Sequence, residues 1–291
     1  GDHWLPIGSG SALPVTALGS WNAADGDRLF VADETGEVRE WAGQTWREAL
    51  GFPRASFQRI HRFATLPFEG RTAAFAAGGR TLPIGERRGA VARFDGVSWV
   101  EMGTDVRPFD DDVFAMVATR MTRSAPDGCW VGGAFRRVVG PVPPERTDDA
   151  PGSALWAPGS GFWGWNLQSP TQRAATFGVR LAQRATVAGV TSLYLAGDFE
   201  HVDSPHWGPA FGVVRIDWPY APRALGSGLL GRVEALAELD GNLIAAGTIT
   251  SIRGPVPSPI SFVASWDGSR WNPTSGPGAN GLPGLPAIVK A

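Results

Sequence analysis

The residues able to do chemistry in this sequence are few, and their spacing is the first thing to weigh. Four histidines are present, His3, His61, His201 and His206. Imidazole beside carboxylate is a ligand set for zinc and related ions, so His201, Asp203 and His206 are the weak metal candidates. Pro205 and Trp207 surround them, and a polar loop capped by an aromatic accounts for the same residues; no metal and no cofactor are expected. A centre built from all four histidines is disfavoured, because two share one loop and His3 lies almost at the start. Asp110-Asp111-Asp112 lacks the Asp-x-Asp-x-Asp-Gly spacing of a calcium loop and reads as a solvated turn. Paired carboxylates for glycoside cleavage lie far apart in sequence and meet only in the fold, which leaves Asp33, Glu69, Asp198 and Glu238 as acids near strand ends. No Gly-x-Ser-x-Gly elbow and no phosphate-cradling loop occur. Cys129, the only cysteine, excludes an internal disulfide and sits in a strand-like run as a buried thiol.

Elements rich in turns must position these groups. The 291 residues hold 39 Gly, 24 Pro and 13 Trp, with only 19% charged residues. Glycine and proline punctuate turns, and tryptophan supplies large anchors between sheets. The net charge of −2 argues against a nucleic-acid partner. No run reaches the roughly 18 apolar residues of a membrane helix, so the chain is not expected to span a membrane. Gly1-Asp2-His3-Trp4 lacks the regions of a signal peptide, which reads as a mature or trimmed product.

Two motifs recur in order. An aromatic-Asp-Gly turn is followed by tryptophan: Trp41-Ala42-Gly43 with Trp46, Phe94-Asp95-Gly96 with Trp99, and Trp266-Asp267-Gly268 with Trp271. Degenerate copies are Trp156-Ala157-Pro158-Gly159 with Trp163, and Arg215-Ile216-Asp217-Trp218. Such a turn suits a hairpin whose flanking aromatics pack across the two strands. The other motif is an apolar strand ending in small residues, as in Phe75-Ala76-Ala77-Gly78-Gly79, Trp130-Val131-Gly132-Gly133, Leu195-Ala196-Gly197 and Ile244-Ala245-Ala246-Gly247. Small residues there allow close backbone approach. Gly8-Ser9-Gly10 before Val15-Thr16-Ala17-Leu18 matches Gly226-Ser227-Gly228 before Val233-Glu234-Ala235-Leu236.

Each unit therefore reads as four strands: Val-x-Ala-Leu, the small-residue strand, a strand into the turn, and the Trp strand. The turns fall at 41, 94, 156, 216 and 266. The expected fold is all-β, a β-propeller of about five four-stranded blades (five or six) forming one domain over 1–291, closed by its N- and C-terminal segments. A β-sandwich pair is the alternative. Arg173 to Ala188 can be drawn as a helix, but its repeat position makes it strand. Trp4-Leu5-Pro6-Ile7-Gly8 reads as a fourth strand with no turn before it, and Leu282 to Val289 as the possible start of another unit.

The order Val-x-Ala-Leu, small-residue strand, Ala-Arg-aromatic-Asp-Gly-x-x-Trp resembles the kelch-like repeats of secreted and surface bacterial proteins. It is also similar to the ectodomains of fungal cortical polarity markers. Residues 91–103 carry the closest match and 263–271 the next. The resemblance implies an adhesive or scaffolding module at the cell surface, in the periplasm or outside the cell, and no catalytic residues.

The longest insertions are 136–154, with Pro141, Pro143 and Pro144; 200–212, with Pro205, His206 and Trp207; and 251–261, with Gly254-Pro255-Val256-Pro257. All follow the small-residue strand, so they are expected on one face. Proline stiffens a loop at little entropic cost on binding. The expected function is a non-enzymatic interaction scaffold binding a protein or glycan through Pro143, Pro144, His206, Trp207 and Pro257. The alternatives are a carbohydrate-active hydrolase or lyase with an axial carboxylate site, and a His-ligated metal enzyme.

Overall fold

A computed structural model describes residues 7–8, 11–23, 26–41, 43–68, 71–102, 109–120, 127–139, 147–149, 152–157, 161–164, 179–197, 211–217, 221–254, 258–260 and 262–274. They form five four-stranded antiparallel sheets, each a meander of the kind that makes a propeller blade.

Blade one is β1 (Val15–Ala23), β2 (Gly26–Asp33), β3 (Val38–Trp41) and β4 (Trp46–Glu48). Blade two is β5 (Arg59–Phe68), β6 (Arg71–Thr81), β7 (Arg87–Phe94) and β8 (Trp99–Glu101). Blade three begins with β9 (Val113–Arg120) and β10 (Asp127–Gly133). A separate hairpin, β11 (Arg137–Val139) and β12 (Thr147–Asp149), intervenes before β13 (Ser153–Ala157) and β14 (Gly161–Gly164) complete that sheet. Blade four is β15 (Val179–Val187), β16 (Val190–Gly197), β17 (Val213–Asp217) and β18 (Ala221–Ala224). Blade five is β19 (Leu229–Leu239), β20 (Asn242–Ile252), β22 (Val263–Trp266) and β23 (Trp271–Pro273), with the short β21 (Ser258–Pro259) added to the end of β20. The 179–187 stretch is strand, as its repeat position requires.

The chain divides into two compact units. Blades one to three form one, except for residues 132–134 and 151–153, which group with blades four and five in the other. In the first unit, Phe30 and Ala32 of β2 share a core with Ala74 and Ala76 of β6. The opposite face of β6, Phe75 and Ala77, packs with Cys129 and Val131 of β10. In the second unit, Tyr194 and Ala196 of β16 meet Leu243 and Ala245 of β20. Side chains alternate across a strand, so a second strand between two sheets must be apolar on both faces. Cys129 is buried, and burial pushes its thiol well above the ordinary range, as expected of a packing residue.

The aromatic turns fold as the motif predicts. Trp41 is directly opposite Trp46, Phe94 opposite Trp99 and Trp266 opposite Trp271. The ring centroids are 5.3, 5.5 and 5.6 Å apart. Asp95 Oδ1 accepts the N–H groups of Val97 and Ser98, and Asp267 Oδ1 those of Ser269 and Arg270. Gly96 and Gly268 follow at φ +105° and +99°, a region that favours glycine. The third blade corrects the sequence pairing: Trp156 faces Phe162, not Trp163, because Ala157 and Gly161 close the hairpin one step further on.

Trp99 and Trp271 are 3% and 6% exposed, but Trp46 is only half-buried. Trp99 packs on Phe30, Phe52 and Phe63, whereas Trp46 lies against the ring of Trp41. The repeat predicts equivalent, largely buried places for all three; the places are equivalent, and Trp46 corrects the expectation of burial. Trp99→Ala and Trp271→Ala should each cost about 3–5 kcal/mol, and Trp46→Ala about half that, as read from urea midpoints at unchanged slope.

Candidate functional site

In blades one, two, four and five the first strand carries a β-bulge at one fixed place. Register shifts lie between Val15 and Ala17, Ile60 and Arg62, Val179 and Leu181, and Val233 and Ala235. The bulged residues are Thr16, His61, Arg180 and Glu234. In sequence they stand at the variable x of Val-x-Ala-Leu or its equivalent, where Phe114 stands in blade three. A bulge leaves its extra residue out of the ladder and re-aims its side chain. All five are half-buried.

The small residues ending the second strand face this bulge. A Cβ on Gly78 would lie 2.1 Å from the Arg59 carbonyl oxygen, and one on Gly247 2.2 Å from that of Arg232. In blades two and five no side chain fits there, which explains Gly78 and Gly247; blade one carries Asp33 at the same register position.

Around His61 the bulge gathers charge. His61 Nε2 is 3.4 Å from Asp112 Oδ2, and its ring meets Phe114 edge-on with centroids 4.8 Å apart. Arg87 stands 3.7 Å from Asp112 and 4.0 Å from Asp111. Asp110 Oδ1 accepts the N–H groups of Arg136 and Arg137 at 2.7 and 2.9 Å, fixing the root of the 136–154 insertion. The Asp110–Asp112 run is therefore a set of inter-strand anchors, not the solvated turn expected from sequence. In the second unit, Glu234 pairs with Arg232 at 2.6 Å.

Two of the carboxylates considered for glycoside cleavage are described, and both are engaged. Asp33 Oδ1 accepts the Thr35 hydroxyl and the N–H groups of Thr35 and Glu37. Burial pushes its carboxyl up, but those hydrogen bonds, with Arg39, hold it below the ordinary 3.8. Glu238 accepts the Thr186 N–H at 2.6 Å. Glu69 and Asp198 lie outside the described residues. So do Pro143, Pro144, His206, Trp207 and Pro257, and the weak metal candidates His201 and Asp203. Among the described residues, no group of three or more His, Cys, Asp or Glu could hold a metal. Among them, too, no helix is long and apolar enough to cross a membrane.

The three long insertions each join the second and third strands of their blade, as the repeat predicts. In the second unit the roots of two of them touch. The Arg253 guanidinium lies over the Phe211 ring, 3.5 Å from its centroid. Phe211 ends the 200–212 insertion, and Arg253 stands near the start of 251–261. Arg253 N–H also donates to the Gly228 carbonyl, and the Phe211 carbonyl accepts the Leu229 N–H. In the 251–261 insertion, Ser258 and Pro259 pair back onto β20. The bulge opens the first strand beside the end of the second, where Val15 pairs with Asp33 and Val179 with Gly197. Bulged residues and long connections thus belong to the same end of a blade. Sequence reading reached the connections but missed the bulge residues; their only signal was the variable position inside a constant motif.

Fold and site together define a propeller-type repeat protein. No family model matches the chain, and no curated protein matches it. Among solved structures it is similar to a BT0996 RGII complex, at TM-score 0.36 and 11% identity over 80% of this protein and 82% of the other. It is similar too to a glycoside hydrolase, at TM-score 0.35 and 11% identity over the same shares.

Asp33 gives a test in acid. A carboxyl held low in the fold stabilises fully above about pH 4, and the contribution is lost as pH falls through the folded value. Asp33→Asn should flatten the decline of the urea midpoint between about pH 4 and pH 2, relative to the unmodified chain.

Proposed function

We propose that the chain is a non-enzymatic interaction module, of the kelch-like kind, that binds a protein or glycan partner through the connections between second and third strands. The observation that carries this reading is the Arg253–Phe211 contact, which ties the roots of two proline-rich connections together in one unit. Stiff loops on a rigid sheet end lose little entropy on binding, and aromatic anchors carry a large share of interface energy. Pro143, Pro144, His206, Trp207 and Pro257 are the binding residues in this reading, and a surface or extracellular location suits it. The hydrolase alternative needs a free acid of raised pKa. Asp33 and Glu238 are instead held by donors, and Asp112 and Glu234 by ion pairs.

The reading is tested by affinity electrophoresis through gels containing pectin, xylan or β-glucan, and by immobilised surface-protein fractions. Trp207→Ala should weaken retention about tenfold or more and leave the melting temperature within about 2 °C. Release of reducing ends from any of these polymers, lost in Asp112→Asn or Glu234→Gln, would show an enzyme and overturn it.

A further inference from the structure

In the second unit most described arginines have a carboxylate at hand. Arg215 and Arg223 pair with Asp217 at 2.9 and 2.7 Å, Arg232 with Glu234 at 2.6 Å, and Arg270 with Asp267 at 3.7 Å. Arg253 pairs with none among the described residues; its guanidinium lies instead over the Phe211 ring, 3.5 Å from the centroid. Both partners are fixed by backbone. Arg253 N–H donates to the Gly228 carbonyl at 3.0 Å, and the Ser227 hydroxyl donates to the Arg253 carbonyl. The Phe211 carbonyl accepts the N–H groups of Val213 and Leu229 at 2.8 and 3.3 Å. A Cβ on Gly228, at φ +84°, would lie 2.8 Å from the Phe211 Cβ, so glycine lets the ring come close. A guanidinium stacked by its face keeps its N–H donors in its own plane, directed away past the rim of the ring. The cation is therefore held in place with its donors unspent on any described carboxylate.

The repeat itself does not ask for a cation there. Blades three and five enter their long connections with the same run: Gly133 precedes Gly140-Pro141-Val142-Pro143 at the spacing at which Gly247 precedes Gly254-Pro255-Val256-Pro257. The pairing agrees, since Arg137–Asp149 and Val138–Asp148 correspond to Ser251–Pro259 and Ile252–Ser258. At the place of Arg253 blade three has Val139, opposite Thr147. An apolar residue thus serves the fold, and the arginine of blade five is free to serve something else.

We propose that Arg253 is an anion-recognising residue of the second unit, and that its ligand is a uronic-acid unit of an acidic polysaccharide whose carboxylate takes two parallel N–H donors of the guanidinium. The proposal rests on the reading of the chain as a protein- or glycan-binding module, and it narrows the partner. A planar fork matches a carboxylate in two hydrogen bonds at once, which a point charge does not. A sugar suits this place better than a peptide strand. The end of β20 is paired on both sides, with Leu229 and Leu230 of β19 and with Ser258 and Pro259 of β21. No ladder edge is open there for strand addition, so recognition falls to side chains.

Affinity electrophoresis of the 291-residue chain tests this. Gels containing polygalacturonate should retain it about tenfold or more strongly than gels containing the methyl-esterified polymer or β-glucan. Arg253→Gln should lose about tenfold or more of that retention, and Arg253→Lys should restore less than about half of it. Both should keep the melting temperature within about 2 °C. Arg184, exposed on β15 of the same unit, controls for unspecific charge, and Arg184→Gln should leave retention within about twofold. Should Arg253→Gln not fold, Phe211→Leu gives the decision: it keeps the charge, removes the ring that orients it, and should lower retention about threefold or more. Equal losses in Arg184→Gln and Arg253→Gln, or no retention by polygalacturonate, overturn the proposal. Polyglutamate gels that retain the chain as strongly would make the partner an acidic protein, which overturns it too. Retention lost in Trp207→Ala and kept in Arg253→Gln overturns this proposal and leaves the interaction-module reading standing. No retention by any polymer or surface-protein fraction overturns both.

Discussion

Everything in this protein follows from stacking sheets face to face through their second strands. Sheets packed this way stand about 10 Å apart, so a second strand has no solvent side. The second strand of blade two answers with an asymmetric strand: Phe75 projects one way, and Ala74, Ala76 and Gly78 lie on the other face. Phe30 enters the surface that Ala74 and Ala76 leave low, and Tyr194 meets Ala245 beside Leu243. Large against small fills the gap at crystal-like density without strained rotamers. The alanine and glycine content is the complement of the aromatic content.

The same crowding produces the candidate site. At the end of the second strand the backbone of the bulged first strand comes so close that Gly78 and Gly247 have no room for a Cβ. The bulge gives the blade an extra residue that the ladder does not claim. Thr16, His61, Arg180 and Glu234 occupy it, and they differ in charge and shape while the residue ahead of each, Val15, Ile60, Val179 and Val233, stays apolar. A scaffold that fixes the neighbours and varies one position suits recognition, because that position can change without disturbing the core.

Charge is placed to hold blades together more than to react. Glu40 is buried between Arg28 and Arg47 at 2.8 and 3.1 Å, with Arg28 also over the Trp21 and Phe94 rings. Asp217 holds Arg215 and Arg223 in the same manner. Removing Arg28 or Arg47 would leave the buried Glu40 charge short of compensation, so these residues are structural. The outer strands are short, three residues in β4, β8 and β23, which leaves little exposed edge for stray pairing.

The sequence by itself determined the blade. The aromatic-Asp-Gly turn, the tryptophan after it and the small-residue strand are local signals, each read from a few neighbouring residues, and the cross-strand pairs Trp41–Trp46, Phe94–Trp99 and Trp266–Trp271 formed as the spacing required. The order of strands, and the place of the long connections between second and third strands, followed from repetition of that unit. Only the tertiary structure decided what depends on the neighbouring sheet. It left Trp46 half-buried where Trp99 is sealed, set Phe162 rather than Trp163 across from Trp156, and turned Asp110–Asp112 from a turn into anchors. The bulge was also invisible in sequence. A register shift depends on both strands of a pair, and no single strand records it. His61 and Asp112 meet for the same reason: they belong to different blades, and face-to-face stacking alone brings them together.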